Sequence, residues 1–278
     1  MKKISAYINI VRPPNFLITF FTVIVAAAVS YKGEYSSVKV LLAAITASLT
    51  MSAGNIINDV YDLTGDKINH PGRPLPSGII SVKAAVIYYF ILSAVSLVLS
   101  LFITNLNFAV NLLAILLLYL YSFKLKRVAL GGNLVISILT GLTFIYGGIA
   151  VNSFYNSIIP ALFAFLINLI REIVKDMEDT EGDIREGIIS FPSKYGIKAA
   201  KQTIIALTIL LIIFTFFPYI NENYGNYYIA IILILVIPVL IYFLISLLKN
   251  DSQKNLNKLS FILKLDMVFG LIALYIGR

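Results

Sequence analysis

The sequence contains no cysteine and no tryptophan, and it has only one histidine in 278 residues. Without cysteine, a disulfide framework, a cysteine-based metal site and a thiol nucleophile are all excluded. Charged residues make up only 13% of the chain, whereas 59% of it is hydrophobic and the mean hydropathy is +0.89. Soluble globular domains do not have this composition, so the sequence predicts a polytopic membrane protein.

Nine apolar segments are long enough to cross a bilayer, since about 20 mainly apolar residues span its hydrocarbon core as a helix. We expect these spans at roughly 15–31, 38–57, 82–103, 107–123, 131–151, 157–175, 200–219, 227–248 and 259–277. The segments lack the alternation of lipid-facing strands, so an all-α bundle is predicted. Residues 1–278 are expected to form one membrane domain, and the first segment is interpreted as a retained span without a signal-peptide cleavage site.

Basic residues are concentrated in every second loop. Of the 22 lysines and arginines, only Lys32, Lys39 and Arg278 fall on the other side. By the positive-inside rule, the amino terminus and the long loops are cytoplasmic and the carboxyl terminus is outside. The net charge of +8 is therefore expected to orient the chain and to face anionic lipid or phosphate groups, not nucleic acid.

Two of the inner loops, residues 58–81 and 176–199, are long and polar, and each begins with acidic residues at the end of an apolar helix. We expect these two loops to form one cytoplasmic cap over one site. The outer connections are short and almost uncharged. They are expected to connect helices without forming a site.

The first acidic cluster places Asn58, Asp62 and Asp66 at spacings of i, i+4 and i+8. This spacing puts the three side chains on one face if the second helix continues beyond the membrane boundary. Asn55 and Asp59 form a neighbouring row, and their roles are left open by the spacing alone.

The second acidic cluster repeats this pattern, with Asp176, Asp179 and Asp183 at i, i+3 and i+7. Like charges on one helix face are destabilising unless a cation lies between them. Oxygen ligands suit Mg²⁺, which typically uses one or two carboxylates together with oxygens of a substrate phosphate. Two clusters of matched spacing therefore predict Mg²⁺ sites that hold a diphosphate, and the alternative of two solvated acidic loops is disfavoured.

Several basic residues are candidates for binding phosphate oxygens. Arg73 is held in a rigid glycine- and proline-rich segment just after the first cluster, where its guanidinium could clamp phosphate bidentately. Arg171 and Lys175 lie one turn apart at the end of the sixth span, and Lys126 and Arg127 follow the fourth. For Lys126 and Arg127 a role in orienting the chain is supported equally well.

Two further ionisable residues are expected to lie outside the site. His70 has no histidine or cysteine companion, so a loop residue is favoured over a metal ligand or catalytic base. Asp266, near Lys264 at the start of the ninth span, is expected at the membrane interface.

With these residues identified, the chain resembles the UbiA-type intramembrane prenyltransferases. That family has two aspartate-rich motifs, Asn-x-x-x-Asp-x-x-x-Asp and Asp-x-x-x-Asp. Asn58, Asp62 and Asp66 match the first motif, and Asp179 and Asp183 match the second. Nearly the whole chain is covered by the resemblance, which also includes Arg12-Pro13, Arg73, Tyr121-Ser122 and Lys126-Arg127.

The resemblance implies nine helices around a central cavity that is open to lipid and covered by the inner loops. It also implies Mg²⁺-dependent transfer of a prenyl group from its diphosphate. Segments 11–15 and 69–78 are most similar to family members that use geranylgeranyl diphosphate and the free hydroxyl of geranylgeranylglyceryl phosphate, forming an ether of archaeal membrane lipids.

The spacing of the polar residues and the resemblance together predict a division of roles among the candidate residues. The metal ligands are then Asn58, Asp62, Asp66, Asp176, Asp179 and Asp183, of which Asp62, Asp66, Asp179 and Asp183 are also catalytic. The substrate-binding residues are Asn55, Arg73, Lys126, Tyr146, Arg171 and Lys175. The ring of Tyr146, within the fifth span, could stabilise an allylic cation from its face.

Two alternatives remain at this point. The same chemistry could transfer a prenyl group to an aromatic acceptor, a quinone precursor or haem. A cation or metabolite transporter would instead need ionisable residues near mid-membrane, whereas the acidic clusters here lie at one face. The expected cofactor is Mg²⁺, and the expected partners are a prenyl diphosphate, a lipid phosphate and membrane lipid, with no obligate protein partner inferred.

Overall fold

The structure, a computed structural model, describes residues 2–31, 33–185, 188–221 and 223–277, with side chains for all of these except 2, 69 and 181–185. The described residues are all-α and contain no strand. The helices are α1 (Lys2–Ile10), α2 (Pro13–Ser30), α3 (Ser37–Tyr61), α4 (Leu63–Asn69), α5 (Val82–Ser100), α6 (Asn105–Phe123), α7 (Gly131–Ala150), α8 (Phe154–Arg185), α9 (Phe191–Tyr195), α10 (Ile197–Ile220), α11 (Asn226–Ile231), α12 (Ile237–Lys249) and α13 (Gln253–Ile276).

Nine helical segments among the described residues are long and apolar enough to cross a membrane, which confirms the nine predicted spans. They are formed by α2, α3, α5, α6, α7, α8, α10, the continuous run Asn226–Lys249 and α13. In that run a π-helical turn, Ile232–Val236, joins α11 to α12.

The two regions predicted as long polar loops both begin with helix. Most of the described residues of 176–199 are helical, whereas residues 70–81 form turns, so the loop interpretation is corrected for the second region and for the start of the first. α3 continues to Tyr61 and is followed at once by α4, and α8 continues to Arg185. The hydropathy pattern ends a span where polar residues begin. Helical backbone hydrogen bonds do not require apolar side chains, so both helices extend into their acidic clusters.

The chain separates into two compact units, which are described one at a time. The first unit comprises residues 1–125 and 142–157, and the second comprises residues 126–141 and 158–278. The first acidic cluster belongs to the first unit and the second cluster belongs to the second.

In the first unit α3 is the central helix and packs against α2, α5 and α6. Polar side chains join these helices where they cross. Thr50 Oγ1 donates to Asn111 Oδ1 over 2.6 Å, and Asn111 Nδ2 donates to Ser96 Oγ over 2.7 Å. Such bonds between membrane helices fix their relative position because lipid offers no competing partner. They therefore fix α3 relative to α5 and α6.

In the second unit α13 packs against α11, the π-helical turn and α12. Asp251 lies outside the spans, between α12 and α13. Lys201 Nζ, near the start of α10, lies 2.8 Å from an oxygen of Asp251, and this hydrogen bond lowers the pKa of that carboxyl group. Asp266 is not at an exposed interface as the sequence suggests, because only 1% of the residue is exposed. Its position between buried Leu263 and Ala273 along α13 places it on the packed side of the helix.

Candidate active site

The predicted face of Asn58, Asp62 and Asp66 is preserved although α3 ends inside it. Asp62 is the single residue between α3 and α4, and its φ and ψ angles are −90° and 3°. The Asp62 amide donates to Asn58 O and the Asp66 amide donates to Asp62 O, each over 2.9 Å. The i to i+4 hydrogen bonds therefore continue through the junction, and Asn58 Nδ2 donates to Asp62 Oδ2 over 2.7 Å.

The oxygen atoms of this cluster suit a hard divalent cation. Asn58 Oδ1 is buried and has no hydrogen-bond partner among the described residues. Within the described part of the chain, no group of three or more His, Cys, Asp or Glu side chains could hold a metal ion by itself. Mg²⁺ does not require such a group, because it keeps water ligands and binds substrate phosphate oxygens. An amide oxygen beside two carboxylates therefore fits Mg²⁺ that is shared with a diphosphate.

Arg73 forms a bidentate contact with Asp66. Its Nη1 lies 2.7 Å from each carboxylate oxygen of Asp66, and the carboxylate is largely buried. Arg73 follows α4 in a segment of turns in which the Ser77 amide donates to the Arg73 carbonyl over 3.0 Å. The structure thus brings the predicted phosphate-binding arginine directly to a predicted metal ligand.

Asp59, whose role the sequence leaves open, is the buried centre of an ion-pair network. Asp59 is 2% exposed and accepts a hydrogen bond from Arg12 Nη2, and Arg73 Nη1 lies 4.0 Å from its Oδ1. Arg12 has a φ of 54° in the turn before Pro13, a left-handed conformation that is uncommon for a non-glycine residue. Asp59 therefore links the turn between α1 and α2 to Arg73.

Asn55 supports the same turn. It is largely buried, and its Nδ2 donates to the carbonyl oxygen of Val11 over 3.4 Å. This contact uses the amide to hold the backbone that precedes Arg12. The hydrogen bond to Val11 favours a positioning role for Asn55. The contact of Asn55 with substrate stays a prediction.

In the second cluster, Asp176 is oriented by a residue that the sequence analysis did not identify. Asn133, in the first turn of α7, donates from Nδ2 to Asp176 Oδ2 over 3.0 Å. Asp179 is exposed and lies within range of the charges of Lys175, Glu172 and Glu178. Asp183 lies near the end of α8, and its side chain falls outside the described residues. No local signal in the sequence connects Asn133 to Asp176.

Arg171 and Lys175 share the carboxylate of Glu172. Arg171 Nη1 lies 2.6 Å from Glu172 Oε1, and Lys175 Nζ lies 3.8 Å from Glu172 Oε2. Arg171 Nε is buried and has no hydrogen-bond partner among the described residues. Glu172 was also not identified from the sequence, although its i, i+3 spacing to Lys175 is a usable signal.

Tyr146 and Lys126 lie apart from these contacts. Tyr146 is 4% exposed in the core of the first unit, and its hydroxyl lies 2.7 Å from Thr46 Oγ1. Thr46 precedes Asp62 on α3 by a helical length of about 24 Å. This position is far from the first acidic cluster, and the predicted stabilisation of an allylic cation by the Tyr146 ring stays a prediction. Lys126 is half-buried in the 3₁₀ turn Leu125–Arg127, and its substrate contact stays a prediction.

Comparison with known proteins assigns the family. Residues 19–265 match the UbiA prenyltransferase family. The chain is 35% identical over 273 residues to the digeranylgeranylglyceryl phosphate synthase of Methanosphaera stadtmanae, a match that covers 98% of this chain and 99% of that protein. The chain is a multi-pass membrane enzyme that transfers prenyl groups, and it belongs to the UbiA prenyltransferase family. The transporter alternative is thereby set aside.

Solved structures agree with this assignment. One comes from a study of digeranylgeranylglyceryl phosphate synthase in membranes; it superposes with a TM-score of 0.88 at 36% identity, covering 100% of this chain and 99% of that one. A UbiA homologue from Archaeoglobus fulgidus bound to DMAPP and Mg²⁺ superposes with a TM-score of 0.71 at 21% identity, covering 96% and 98%. At that identity the second likeness shows the fold, and it confirms the predicted all-α membrane prenyltransferase architecture.

Proposed function

We propose that this enzyme transfers a geranylgeranyl group from geranylgeranyl diphosphate to the free hydroxyl of geranylgeranylglyceryl phosphate. The observation that carries the proposal is the buried, unpartnered amide oxygen of Asn58 beside Asp62 and Asp66, with the Arg73 guanidinium on Asp66. This combination of oxygen ligands and a forked cation suits a Mg²⁺-bound diphosphate. The full-length relative named for digeranylgeranylglyceryl phosphate supports the acceptor, because a second geranylgeranyl group on that lipid gives this product.

In the proposed site, the donor diphosphate is held through Mg²⁺ by the oxygens of both acidic clusters. The ligands are Asn58, Asp62, Asp66, Asp176, Asp179 and Asp183. When bound, Mg²⁺ supplies positive charge that stabilises the negative charge building on the leaving diphosphate. The homologue from Archaeoglobus fulgidus has the same fold and binds DMAPP and Mg²⁺, which supports Mg²⁺ and a prenyl diphosphate as the bound molecules.

The protein's own residues hold the leaving group and exclude water while the bonds change. Arg73 donates hydrogen bonds to diphosphate oxygens and keeps the leaving group in place. The bond between the allylic carbon and the diphosphate oxygen breaks, and its electron pair leaves with the diphosphate. The acceptor hydroxyl oxygen bonds to that carbon and passes its proton to the released diphosphate or to a carboxylate of the site, which gives an ether. The apolar spans exclude water, so the allylic cation is not hydrolysed.

We also propose that both clusters lie on the cytoplasmic side, which is the side of most lysines and arginines. The chain contains no cysteine, so single cysteines can report the orientation directly. In sealed inverted vesicles, Ser77→Cys should react with a membrane-impermeant maleimide and Glu34→Cys should not. The reverse pattern would place the proposed site on the outer face.

The decisive experiment is an acceptor panel with the purified enzyme in lipid nanodiscs. Labelled geranylgeranyl diphosphate is incubated with geranylgeranylglyceryl phosphate, its dephosphorylated alcohol or 4-hydroxybenzoate, with Mg²⁺ or with EDTA. We expect product only with Mg²⁺ and most efficiently with the lipid phosphate. Preferred transfer to the aromatic acid would instead support the quinone-precursor alternative.

Metal-ligand variants test the site in the same assay. Asp62→Asn should lose at least about a hundredfold in kcat, because the variant weakens the electrostatic stabilisation of the leaving group. Glu34→Gln, an exposed carboxylate in an outer connection, is the matched control and should retain activity. Near-normal turnover by folded Asp62→Asn would contradict the metal assignment.

A further inference from the structure

Helices α8 and α13 of the second unit run side by side in opposite directions along one polar face. Asn257 Nδ2 on α13 donates to Glu178 Oε1 on α8 over 2.8 Å. Seven residues further along α13, Lys264 lies within range of the charges of Arg171 and Lys175 on α8. Arg171 precedes Glu178 by seven residues, which is about 10 Å along a helix. Both pairs of residues can be neighbours at once only if α8 and α13 run antiparallel.

Lys264 lies near the middle of α13, a 24-residue helix that is long and apolar enough to cross the membrane. A lysine at such a position costs free energy and needs a partner. Its side chain is exposed and therefore open to a bound molecule, whereas Asp266, two residues later, is buried on the opposite side of α13. The sequence analysis placed neither residue in the site.

The charges around Lys264 do not balance. Glu172 is the carboxylate within range of all three cations, Arg171, Lys175 and Lys264, and Lys175 also lies within range of the charge of Asp179. Arg171 and Lys175 already pair with Glu172, and Arg171 Nε has no hydrogen-bond partner among the described residues. Three cations against two carboxylates leave a net positive charge, and such an arrangement is typical of a site for an anion.

We infer that Arg171, Lys175 and Lys264 bind the phosphate group of the lipid acceptor. A phosphomonoester carries nearly two negative charges at neutral pH, so the net positive charge of the cluster attracts it. The donor diphosphate already has Mg²⁺ and Arg73 in the proposed function, on which this inference rests. The acceptor phosphate has neither, so it needs cations from the protein. Lys264 is then a specificity residue for phosphorylated acceptors.

The test separates the acceptor from the donor by steady-state kinetics in nanodiscs. For Lys264→Gln, the KM for geranylgeranylglyceryl phosphate should rise about tenfold, the loss expected for one charge-assisted hydrogen bond. The KM for geranylgeranyl diphosphate should stay within about twofold. Lys264→Arg keeps the charge and should recover most of the acceptor affinity. Lys258→Gln, on the same helix but bonded to Tyr242, is the matched control.

The dephosphorylated alcohol provides the second arm. Wild type should use this acceptor poorly, and Lys264→Gln should use it as well as wild type does, because the lost contact is with phosphate. Two results for Lys264→Gln would overturn the inference. An equal rise of the donor KM and the acceptor KM would assign the cluster to the diphosphate, and an unchanged acceptor KM would show that Lys264 does not bind the acceptor. Failure of wild type to use the lipid phosphate would instead contradict the proposed function. Equal thermal midpoints of the variant and wild type exclude misfolding as the cause.

Discussion

Arg73 and Asp66 form an ion pair in which one guanidinium nitrogen, Nη1, lies 2.7 Å from each of the two carboxylate oxygens. The predicted phosphate-binding group is therefore already oriented by a predicted metal ligand. An arginine held in this way loses little side-chain entropy when it binds a phosphate, because its rotamers are restricted beforehand. This arrangement leads to the first prediction.

Replacement of Arg73 should weaken donor binding, and more so when both the charge and the forked guanidinium are lost. We expect Arg73→Lys, which keeps the charge but not the fork, to raise the donor KM about tenfold, and Arg73→Ala to raise it further. Steady-state kinetics with varied geranylgeranyl diphosphate measure this. Lys83→Ala, an exposed basic residue at the start of α5, is the control. Equal donor KM values for Arg73→Ala and wild type would contradict the role of Arg73.

Asp59 should act as a positioning residue through Arg12 and Arg73. Asp59→Asn removes the buried charge between two arginines, and we expect a loss of about 2 kcal/mol in stability, reduced from the value for fully buried pairs because both arginines are partly exposed. The donor KM should also rise. A double-mutant cycle of thermal stability with Arg12→Gln measures the coupling. Strictly additive effects of the two substitutions would show that the pair is not coupled.

Asn133 should support the second acidic cluster by orienting Asp176. Asn133→Ala removes the 3.0 Å hydrogen bond, and residues that orient metal ligands commonly change metal affinity by about tenfold. We therefore expect a higher Mg²⁺ concentration for half-maximal activity, with kcat at saturating Mg²⁺ affected less. Asn168→Ala removes another buried amide of the same unit and is the control. An unchanged Mg²⁺ dependence would argue against Asp176 as a ligand.

Asp266 should lower the stability of the second unit. It is 1% exposed, and neither of its carboxylate oxygens has a hydrogen-bond partner among the described residues. Burial without a partner costs about 1–3 kcal/mol, so Asp266→Leu should raise the thermal midpoint by a few degrees. Thermal unfolding in detergent measures this, and Asp266→Asn should give a smaller rise. A lower midpoint for Asp266→Leu would reveal a stabilising partner of the carboxylate.

Local patterns in the sequence were sufficient for the spans and for the first acidic face. Hydropathy predicts a span because each helix must satisfy its own backbone hydrogen bonds in lipid, which depends on nearby residues alone. The spacing of Asn58, Asp62 and Asp66 predicts a shared face for the same reason, since hydrogen bonds between consecutive turns set the helical period. The spacing of Asp176, Asp179 and Asp183 likewise predicts a shared helix face, and α8 continues to Arg185, whereas hydropathy by itself reports only the membrane boundary.

Only the tertiary structure decided which distant side chains meet. Arg12 and Asp59 are 47 residues apart in the chain, and Asn133 and Asp176 are 43 residues apart. Lys264 lies within range of the charge of Arg171 because α8 and α13 run antiparallel. The Tyr146 hydroxyl lies 2.7 Å from Thr46 Oγ1, although the two residues are 100 positions apart in the chain. Composition and spacing identify which groups are able to pair. The pairs themselves depend on how whole helices pack, which is a property of the complete set of contacts and not of any single segment.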